Sequence, residues 1–387
     1  MDRRDFIKYG TVLAGVGGAC LFCKNGGVFF KEHNAEIKSP QMDTRPCKIP
    51  FVYCEIYNNK GDINPCCPAY LKYNNSGITI EEARFKNIYD NSVINILDRN
   101  FDDVWNGELY TNLRQSVLNG DFSMCKRDLC PMYVPCSVDE IPADYQKGPK
   151  DLKISYDYEC NYNCITCRDT IKTNSPEEMS LYENVYLPKI IKIAKNADAV
   201  ILLGSGDPLY SRHSRRLMQE LIKIYPKIRF DLCTNGFFLD EKNLMDLGIQ
   251  NNIRGVLVSV NAVKRETYKK ILRTDAFDRV MKNLELMAEW KKQGKIDYIR
   301  INFILHLMNY KELPEFIKLA QKLDVTALVT TYRPWPGAEL HKRYNEVAVF
   351  EQTNPHYIEF TKIMHDPVFK DKEHCLLEPR LLDIANS

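Results

Sequence analysis

The segment DYECNYNCITCRD, residues 157–169, places three cysteines at the spacing C-x3-C-x2-C. It follows the largely apolar residues 152–156, which predict a short strand. Three thiolates can bind three irons of a [4Fe–4S] cubane and leave the fourth iron open. A closed zinc site needs four ligands, whereas this segment offers three, Cys160, Cys164 and Cys167. We therefore predict an iron–sulfur site with one open position, and a zinc or inert thiol loop is the alternative.

From residue 152 onward, strand patterns alternate with helix patterns. Several strand patterns are nearly continuous in apolar residues, as is typical of parallel strands buried on both faces. Ser175 followed by Pro176 and Glu178 predicts a helix start with a capping box. Six strand–helix units cannot close as eight do, so we predict an α/β fold with a partial (β/α)6 parallel barrel. The predicted strands are residues 152–156, 199–203, 228–233, 255–260, 298–305 and 327–331.

Two further motifs follow predicted strands. The glycine-rich sequence GSGDP, residues 204–208, follows the second strand, and its glycines let the backbone approach a small zwitterion. The sequence SVNA, residues 259–262, ends the fourth strand, and Arg273 lies downstream of it. Together with the three-cysteine loop, these motifs resemble the radical S-adenosylmethionine (SAM) superfamily over about residues 150–335.

The resemblance implies a mechanism and a set of binding residues. A reduced [4Fe–4S] cluster on Cys160, Cys164 and Cys167 would pass an electron to SAM, which breaks into methionine and a 5′-deoxyadenosyl radical. That radical would abstract hydrogen from a peptide or protein, a sugar or a nucleoside. A reductant such as flavodoxin or ferredoxin would supply the electron. The implied SAM-binding residues are Gly204, Ser205, Gly206, Asp207, Pro208, Ser259 and Arg273.

A second group of cysteines precedes the predicted barrel. Gly61 lies five residues before Cys66, and a C-x4-C pair follows the sequence Trp105-Asn106-Gly107. This arrangement resembles the SPASM domain, which carries auxiliary clusters, although here it precedes the barrel. The resemblance implies one auxiliary [4Fe–4S] cluster, and a zinc-stapled domain is the alternative. The candidate ligands are Cys47, Cys66, Cys67, Cys125, Cys130 and Cys136, while Cys54 is a candidate core residue.

The first 30 residues resemble an export signal. Arg3 and Arg4 precede an apolar run, residues 9–22, that is shorter than the roughly 20 apolar residues needed to span a bilayer. Paired arginines are typical of twin-arginine signals, so the twin-arginine translocase is a candidate partner. SAM and its electron donors are cytoplasmic. We therefore expect a cytoplasmic enzyme, and membrane association or twin-arginine export is the alternative.

The formal net charge of +2 gives no reason to expect a nucleic-acid partner. The rival function is a non-catalytic iron–sulfur protein, an electron carrier or scaffold, that keeps the fold. The predicted organisation is a leader or N-terminal segment (1–30), a linker (31–46), a SPASM-like cysteine-rich domain (47–149), a radical SAM partial barrel (150–337) and a C-terminal helical tail (338–387).

Overall fold

The computed structural model describes residues 45–58, 60–66, 94–97, 99–125, 127, 130, 133–203, 206–334 and 337–386. The predicted leader and most of the predicted linker lie outside these residues. The described chain divides into two units. The first runs up to Asp157 and includes Ser175–Ile201 and Lys223–Ile228; the second contains Tyr158–Asn174, Leu202–Ile222 and the chain from Arg229 onward.

The first unit contains a small sheet with the strand order β2-β1-β3-β4. Strand β1 pairs antiparallel with β2 and parallel with β3. Strand β4 ends at Leu202, which already belongs to the second unit. The strands are β1 (Tyr53–Tyr57), β2 (Asp62–Asn64), β3 (Asp151–Ser155) and β4 (Ala199–Leu202), and the helices are α1 (Ile49–Val52), α2 (Phe101–Trp105), α3 (Glu108–Leu118), α4 (Pro176–Leu181) and α5 (Leu187–Ile193).

Arg114 of α3 ties together three segments of the first unit. Its Nε donates to the carbonyl oxygen of Pro50 at 2.9 Å, and its Nη1 donates to that of Trp105 at 2.7 Å. The guanidinium also lies 4.3 Å from the centre of the Trp105 ring, where a cation is attracted to the π face. These contacts stabilise the cysteine-rich segment by packing that does not involve its cysteines.

The second unit contains parallel strands in chain order, β5 to β9. The strands are β5 (Arg229–Thr234), β6 (Ile253–Ser259), β7 (Tyr298–Leu305), β8 (Thr326–Thr331) and β9 (Cys375–Leu377). The helices are α6 (Arg212–Ile224, whose last two residues belong to the first unit), α7 (Glu241–Leu247), α8 (Arg265–Leu272), α9 (Phe277–Lys292), α10 (Leu313–Leu323), α11 (Tyr344–Val347), α12 (Tyr357–Met364) and α13 (Pro379–Asn386).

The two faces of the β5–β8 strands differ in polarity. One face carries fully buried apolar residues such as Leu232 and Val256, which form the core. On the opposite face, the carboxyl-terminal halves of β6, β7 and β8 carry polar, half-buried residues, namely Ser259, Asn302 and Thr330. Carboxyl ends of parallel strands are where α/β proteins build their active sites. The sheet therefore presents a polar face at the expected edge.

The predicted fold class is confirmed. The fold is α/β with a mostly parallel sheet that stays open. Every predicted strand is present, with ends shifted by at most two residues. The predicted capping box is also present, since the Ser175 hydroxyl accepts from the amide of Glu178 at 3.1 Å and the Glu178 carboxylate accepts from the amide of Ser175 at 2.8 Å.

Two features differ from the predicted organisation. Strand β1 of the cysteine-rich segment pairs with β3 and shares a unit with it, although the sequence places a domain boundary between residues 149 and 150. Strand β9 lies in the predicted helical tail and pairs with β8. The domain bounds stay predictions. No helix in the described ranges is long and apolar enough to cross a membrane.

Replacing Gly255 by alanine should destabilise the second unit. Gly255 of β6 is paired with Tyr298 of β7, and a Cβ at Gly255 would overlap three ring carbons of Tyr298. Overpacking of this kind typically costs about 1–3 kcal/mol. Urea unfolding of Gly255→Ala measures the cost. In a Tyr298→Ala background the same substitution should cost less, and an equal cost in both backgrounds would contradict the overlap.

His306 should make stability depend on pH. The ring is buried just after β7, and burial lowers its pKa to about 3. In the unfolded chain the pKa is about 6.5, so below that pH the unfolded state binds a proton that the folded state does not. Folding stability should therefore fall by about 1.4 kcal/mol per pH unit between about pH 6.5 and 3. Above pH 6.5 this contribution stays constant.

The matched variant is His306→Asn. Its side-chain oxygen can replace Nδ1, which accepts from the amide of Met308 at 3.2 Å. Other titrating groups affect both proteins equally, so the difference between their denaturation curves isolates His306. Parallel stability–pH curves for wild type and His306→Asn would rule out this origin of the pH dependence.

Candidate active site

The three-cysteine loop is shaped by its own backbone hydrogen bonds. The amide of Cys160 donates to the carbonyl of Lys172 at 3.0 Å, which closes the two ends of the loop. The amide of Cys167 donates to the carbonyl of Cys164 at 2.9 Å, which forms a tight turn between these two cysteines. The loop therefore holds its cysteines in a defined conformation.

Other segments of the second unit hold the middle of this loop. The amide of Ile165 donates at 3.0 Å to the carbonyl of Ile271, near the end of α8. The carbonyl of Ile165 accepts from the amide of Leu340 at 3.2 Å. The loop is thus attached to α8 and to the segment around residue 340.

The thiols of the loop lie within electrostatic range of one another. Burial, together with the charges of Asp207 and Cys167, raises the pKa of the Cys160 thiol to about 12. Burial also raises the pKa of Cys164, with added repulsion from Cys167 and Cys160. Binding of cationic iron would relieve both effects, because thiolates are its natural ligands. The donor set fits a cluster held by three cysteines.

Arg168 places a guanidinium against one of these sulfurs. Its Nε and Nη2 each lie 3.4 Å from Sγ of Cys167, and its Nη1 donates to the carbonyl of Tyr158 at 2.7 Å. The side chain is half-buried. One cation therefore contacts a cysteine sulfur and also ties the end of the loop to its beginning.

Asp207 fastens the loop after β4 to the end of β5. Its Oδ2 accepts from the hydroxyl of Thr234 and the amide of Asn235, both at 2.8 Å. Its Oδ1 accepts from the amides of Leu209 at 3.0 Å and Tyr210 at 3.2 Å. The pKa of the carboxyl is nevertheless raised, because the group is buried. Since both oxygens bind their own chain, this geometry favours a positioning role for Asp207.

Asn235 continues this network to the cysteine loop. Its Nδ2 donates to Oδ1 of Asn161 at 2.8 Å and lies 4.0 Å from Sγ of Cys160. The amide of Asp207 donates to the carbonyl of Glu159 at 2.9 Å, on the other side of the same cysteine. The end of β5 and the GSGDP segment are therefore both connected to the first cysteine of the loop.

The remaining candidates for SAM binding occupy different places. Gly204 and Ser205 lie outside the described residues. Gly206 and Pro208 flank Asp207, and Ser259 is half-buried at the end of β6. Arg273 follows α8 with a φ of 55° and forms an ion pair with Glu339. The roles of all these residues in binding SAM stay proposals.

Two residues near the loop were not anticipated. Arg168 is one, and Tyr332 is the other. Tyr332 follows β8, is 1% exposed, and has its pKa raised to about 12 by burial and by Cys167. The spacing of the cysteines gives no signal for either residue. The arginine adjacent to Cys167 could have been noted, whereas Tyr332 is brought close only by the fold.

The structure also brings together part of the N-terminal cysteine group. The amide of Lys48 donates to the carbonyl of Val134, and the amide of Cys136 donates to that of Pro46, both at 2.9 Å. These bonds align the two segments. Burial raises the pKa of Cys47 to about 12, and the charges of Cys125 and Cys136 add to the shift.

The other N-terminal cysteines have different surroundings. Cys66 is buried within electrostatic range of Tyr110. Cys130 is half-buried, and Cys67 lies outside the described residues. Cys54 is fully buried in β1, in agreement with a core position. Within the predicted ligand set, the thiol of Cys47 is therefore affected by those of Cys125 and Cys136.

Comparison with known proteins identifies the domain around the loop. Residues 155–320 match the Radical SAM superfamily. A probable GTP 3′,8-cyclase of Saccharolobus islandicus (strain L.S.2.15) is 30% identical over 186 residues, which cover 46% of this chain and 55% of the relative. A probable GTP 3′,8-cyclase of Metallosphaera sedula is 25% identical over 192 residues, covering 48% of this chain and 56% of the relative. The chain thus spans about half the length of the curated relatives it matches.

Two solved structures of low sequence identity are similar to part of this chain. Streptococcus suis SuiB bound to S-adenosylmethionine has a TM-score of 0.41 at 15% identity, covering 71% of this chain and 62% of that chain. Methylornithine synthase has a TM-score of 0.34 at 14% identity, covering 49% of this chain and 56% of that chain. The family match coincides with the three-cysteine loop and the strands that follow it. The chain therefore contains a Radical SAM superfamily domain, which spans residues 155–320.

Proposed function

We propose that this chain binds SAM at a [4Fe–4S] cluster on Cys160, Cys164 and Cys167 and cleaves it to a 5′-deoxyadenosyl radical that abstracts hydrogen from a substrate. The observation that carries the proposal is the preformed loop whose thiols lie within electrostatic range of one another. When bound, a cluster of this kind supplies the electron and an open iron for SAM.

The residues around the loop hold its cysteines in place or are proposed to bind SAM. Arg168 contacts Cys167, while Asp207 and Asn235 fix the segments on either side of Cys160. We propose that the backbone of the GSGDP segment receives the SAM amino group, because glycines permit a close approach. Ser259 and Arg273 are the proposed contacts for the SAM ribose or carboxylate.

The substrate would lie over the polar carboxyl-terminal halves of β6 to β8. Ser259, Asn302 and Thr330 offer neutral hydrogen-bonding groups there. The proposed substrate classes are a peptide or protein, a sugar and a nucleoside. GTP is the first small molecule to assay, because the relatives named above are probable GTP 3′,8-cyclases.

We further propose one auxiliary [4Fe–4S] cluster in the N-terminal segment. Its first candidate ligands are Cys47, Cys125 and Cys136, since the charges of Cys125 and Cys136 affect the thiol of Cys47, with Cys66, Cys67 and Cys130 as the other candidates. The proposed partner is a one-electron reductant such as flavodoxin or ferredoxin, and the proposed compartment is the cytoplasm. Use of the twin-arginine translocase is the alternative for the leader, residues 1–30.

The test is SAM cleavage by the full chain. Protein purified without oxygen is reduced with dithionite in the presence of SAM, and 5′-deoxyadenosine is quantified by chromatography. We expect 5′-deoxyadenosine to accumulate only with reductant and protein together. If none forms while iron quantification shows the clusters intact, the rival function, a non-catalytic iron–sulfur carrier or scaffold, is favoured.

A further inference from the structure

Arg168 is held in place by contacts at both ends of its guanidinium. Two nitrogens, Nε and Nη2, point at Sγ of Cys167 from 3.4 Å. The third, Nη1, donates to the carbonyl of Tyr158 at 2.7 Å. Because the carbonyl contact does not depend on the sulfur, the cation stays directed at Cys167. All these contacts lie within the loop itself.

A fixed positive charge beside a ligand sulfur stabilises the reduced state of a cluster, which carries one more electron. Reduction of an iron–sulfur cluster by one electron makes it more negative and leaves the ligands in place. Hydrogen bonds to the sulfurs and the local net charge are among the factors that set cluster potentials. An arginine side chain remains protonated in proteins, so its charge is present in both redox states.

We propose that Arg168 is a positioning residue that raises the reduction potential of the cluster on Cys160, Cys164 and Cys167, acting through the sulfur of Cys167. This inference rests on the proposed function, because it requires that cluster. If the cluster is bound, its reduction would take one electron from the reductant without forming or breaking a bond, and Arg168 would keep its proton. A merely structural role would hold the loop closed without changing the potential of an assembled cluster.

The experiment is a potentiometric titration of the full chain, followed by the electron paramagnetic resonance (EPR) signal that changes when SAM is added. Arg168→Gln removes the charge but keeps an amide donor. We expect its reduction equilibrium to shift at least about tenfold toward the oxidised form, which is about 59 mV for a one-electron couple. Arg168→Lys keeps the charge and should remain within about threefold of wild type, because it loses only the fork geometry.

The matched control is Arg380→Gln. The guanidinium of Arg380 also donates to a carboxylate, that of Glu351, and to a backbone carbonyl, that of Phe350. Its substitution by glutamine removes the same charge. Its potential should equal that of wild type. An unchanged potential in Arg168→Gln, or an equal shift in Arg380→Gln, would overturn the proposal.

Two outcomes separate this proposal from the proposed function. A wild-type protein without a SAM-responsive signal would refute the proposed function and with it this inference. A SAM-responsive signal with an unchanged potential in Arg168→Gln would refute this inference alone.

If Arg168→Gln does not retain the cluster, Arg168→Ala is reconstituted with ethylguanidinium or with neutral ethylurea. Restoration of the wild-type potential by ethylguanidinium alone supports the role of the charge, and equal potentials with both compounds overturn it.

Discussion

Cys164→Ala should lose SAM cleavage while the proposed N-terminal cluster remains. Cys164 is the middle cysteine of the loop, and its thiol interacts with those of both Cys160 and Cys167. Its removal leaves two thiolates, too few to hold three irons of a cubane. Losing a residue that only hydrogen-bonds a metal ligand typically lowers metal affinity or activity about 10–100-fold. Loss of a direct ligand should lower activity by more than that. The measurement is 5′-deoxyadenosine formed per protein under dithionite.

The control for this experiment is Cys375→Ala. Cys375 is buried in β9, and the sequence gives it no role in either cysteine group. This variant should cleave SAM at the wild-type rate, which shows that loss of a buried thiol alone is harmless. Undiminished cleavage by Cys164→Ala, with wild-type iron content in both variants, would refute the assignment of the loop.

Lys153→Met should destabilise the first unit by about 3–5 kcal/mol, the usual cost of removing one partner of a buried ion pair. Lys153 of β3 lies opposite Glu55 of β1 in the parallel register, and its Nζ is 2.8 Å from Oε1 of Glu55. Both side chains are 1% exposed. Without the ammonium, a buried carboxylate loses its compensating charge, although the hydroxyl of Ser155 still donates to it at 2.6 Å. Urea unfolding monitored by circular dichroism gives the free energy.

The double variant Glu55→Gln/Lys153→Met separates charge from packing. Replacing both partners removes the uncompensated charge, so the double variant should recover most of the stability lost in Lys153→Met. Lys242→Met, which breaks the exposed pair with Asp246, should change stability little. A double variant as unstable as Lys153→Met would show that packing, and not charge, decides the loss.

The strands of the sheet were predictable because their signal is local. Parallel strands buried on both faces are nearly continuous in apolar residues, as residues 199–203 are, and β4 is observed there at Ala199–Leu202. The short strand β9 was not predicted, because three residues, Cys375–Leu377, carry no periodicity. The pairing of β1 with β3 was also missed, since it joins distant segments of the chain, in which Glu55 and Lys153 are paired.

The candidate site was predictable where spacing carries the information. The C-x3-C-x2-C spacing predicts three ligands within one short loop, and the match of residues 155–320 to the Radical SAM superfamily includes that loop. The sequence could not show that both carboxylate oxygens of Asp207 accept hydrogen bonds from its own chain. Oδ2 accepts from Thr234 and Asn235, and Oδ1 accepts from the amides of Leu209 and Tyr210. Nor could the sequence show that Tyr332 comes close to Cys167, because folding alone brings together residues so distant in the chain.

The most direct test of this account is the EPR spectrum of the dithionite-reduced protein, recorded with and without SAM. If the loop leaves one iron open, SAM binds there and changes the signal in wild type, and this change is absent in Cys164→Ala. A reduced cluster at Cys160, Cys164 and Cys167 whose signal does not respond to SAM, with a fourth side chain bound to its remaining iron, would contradict the account.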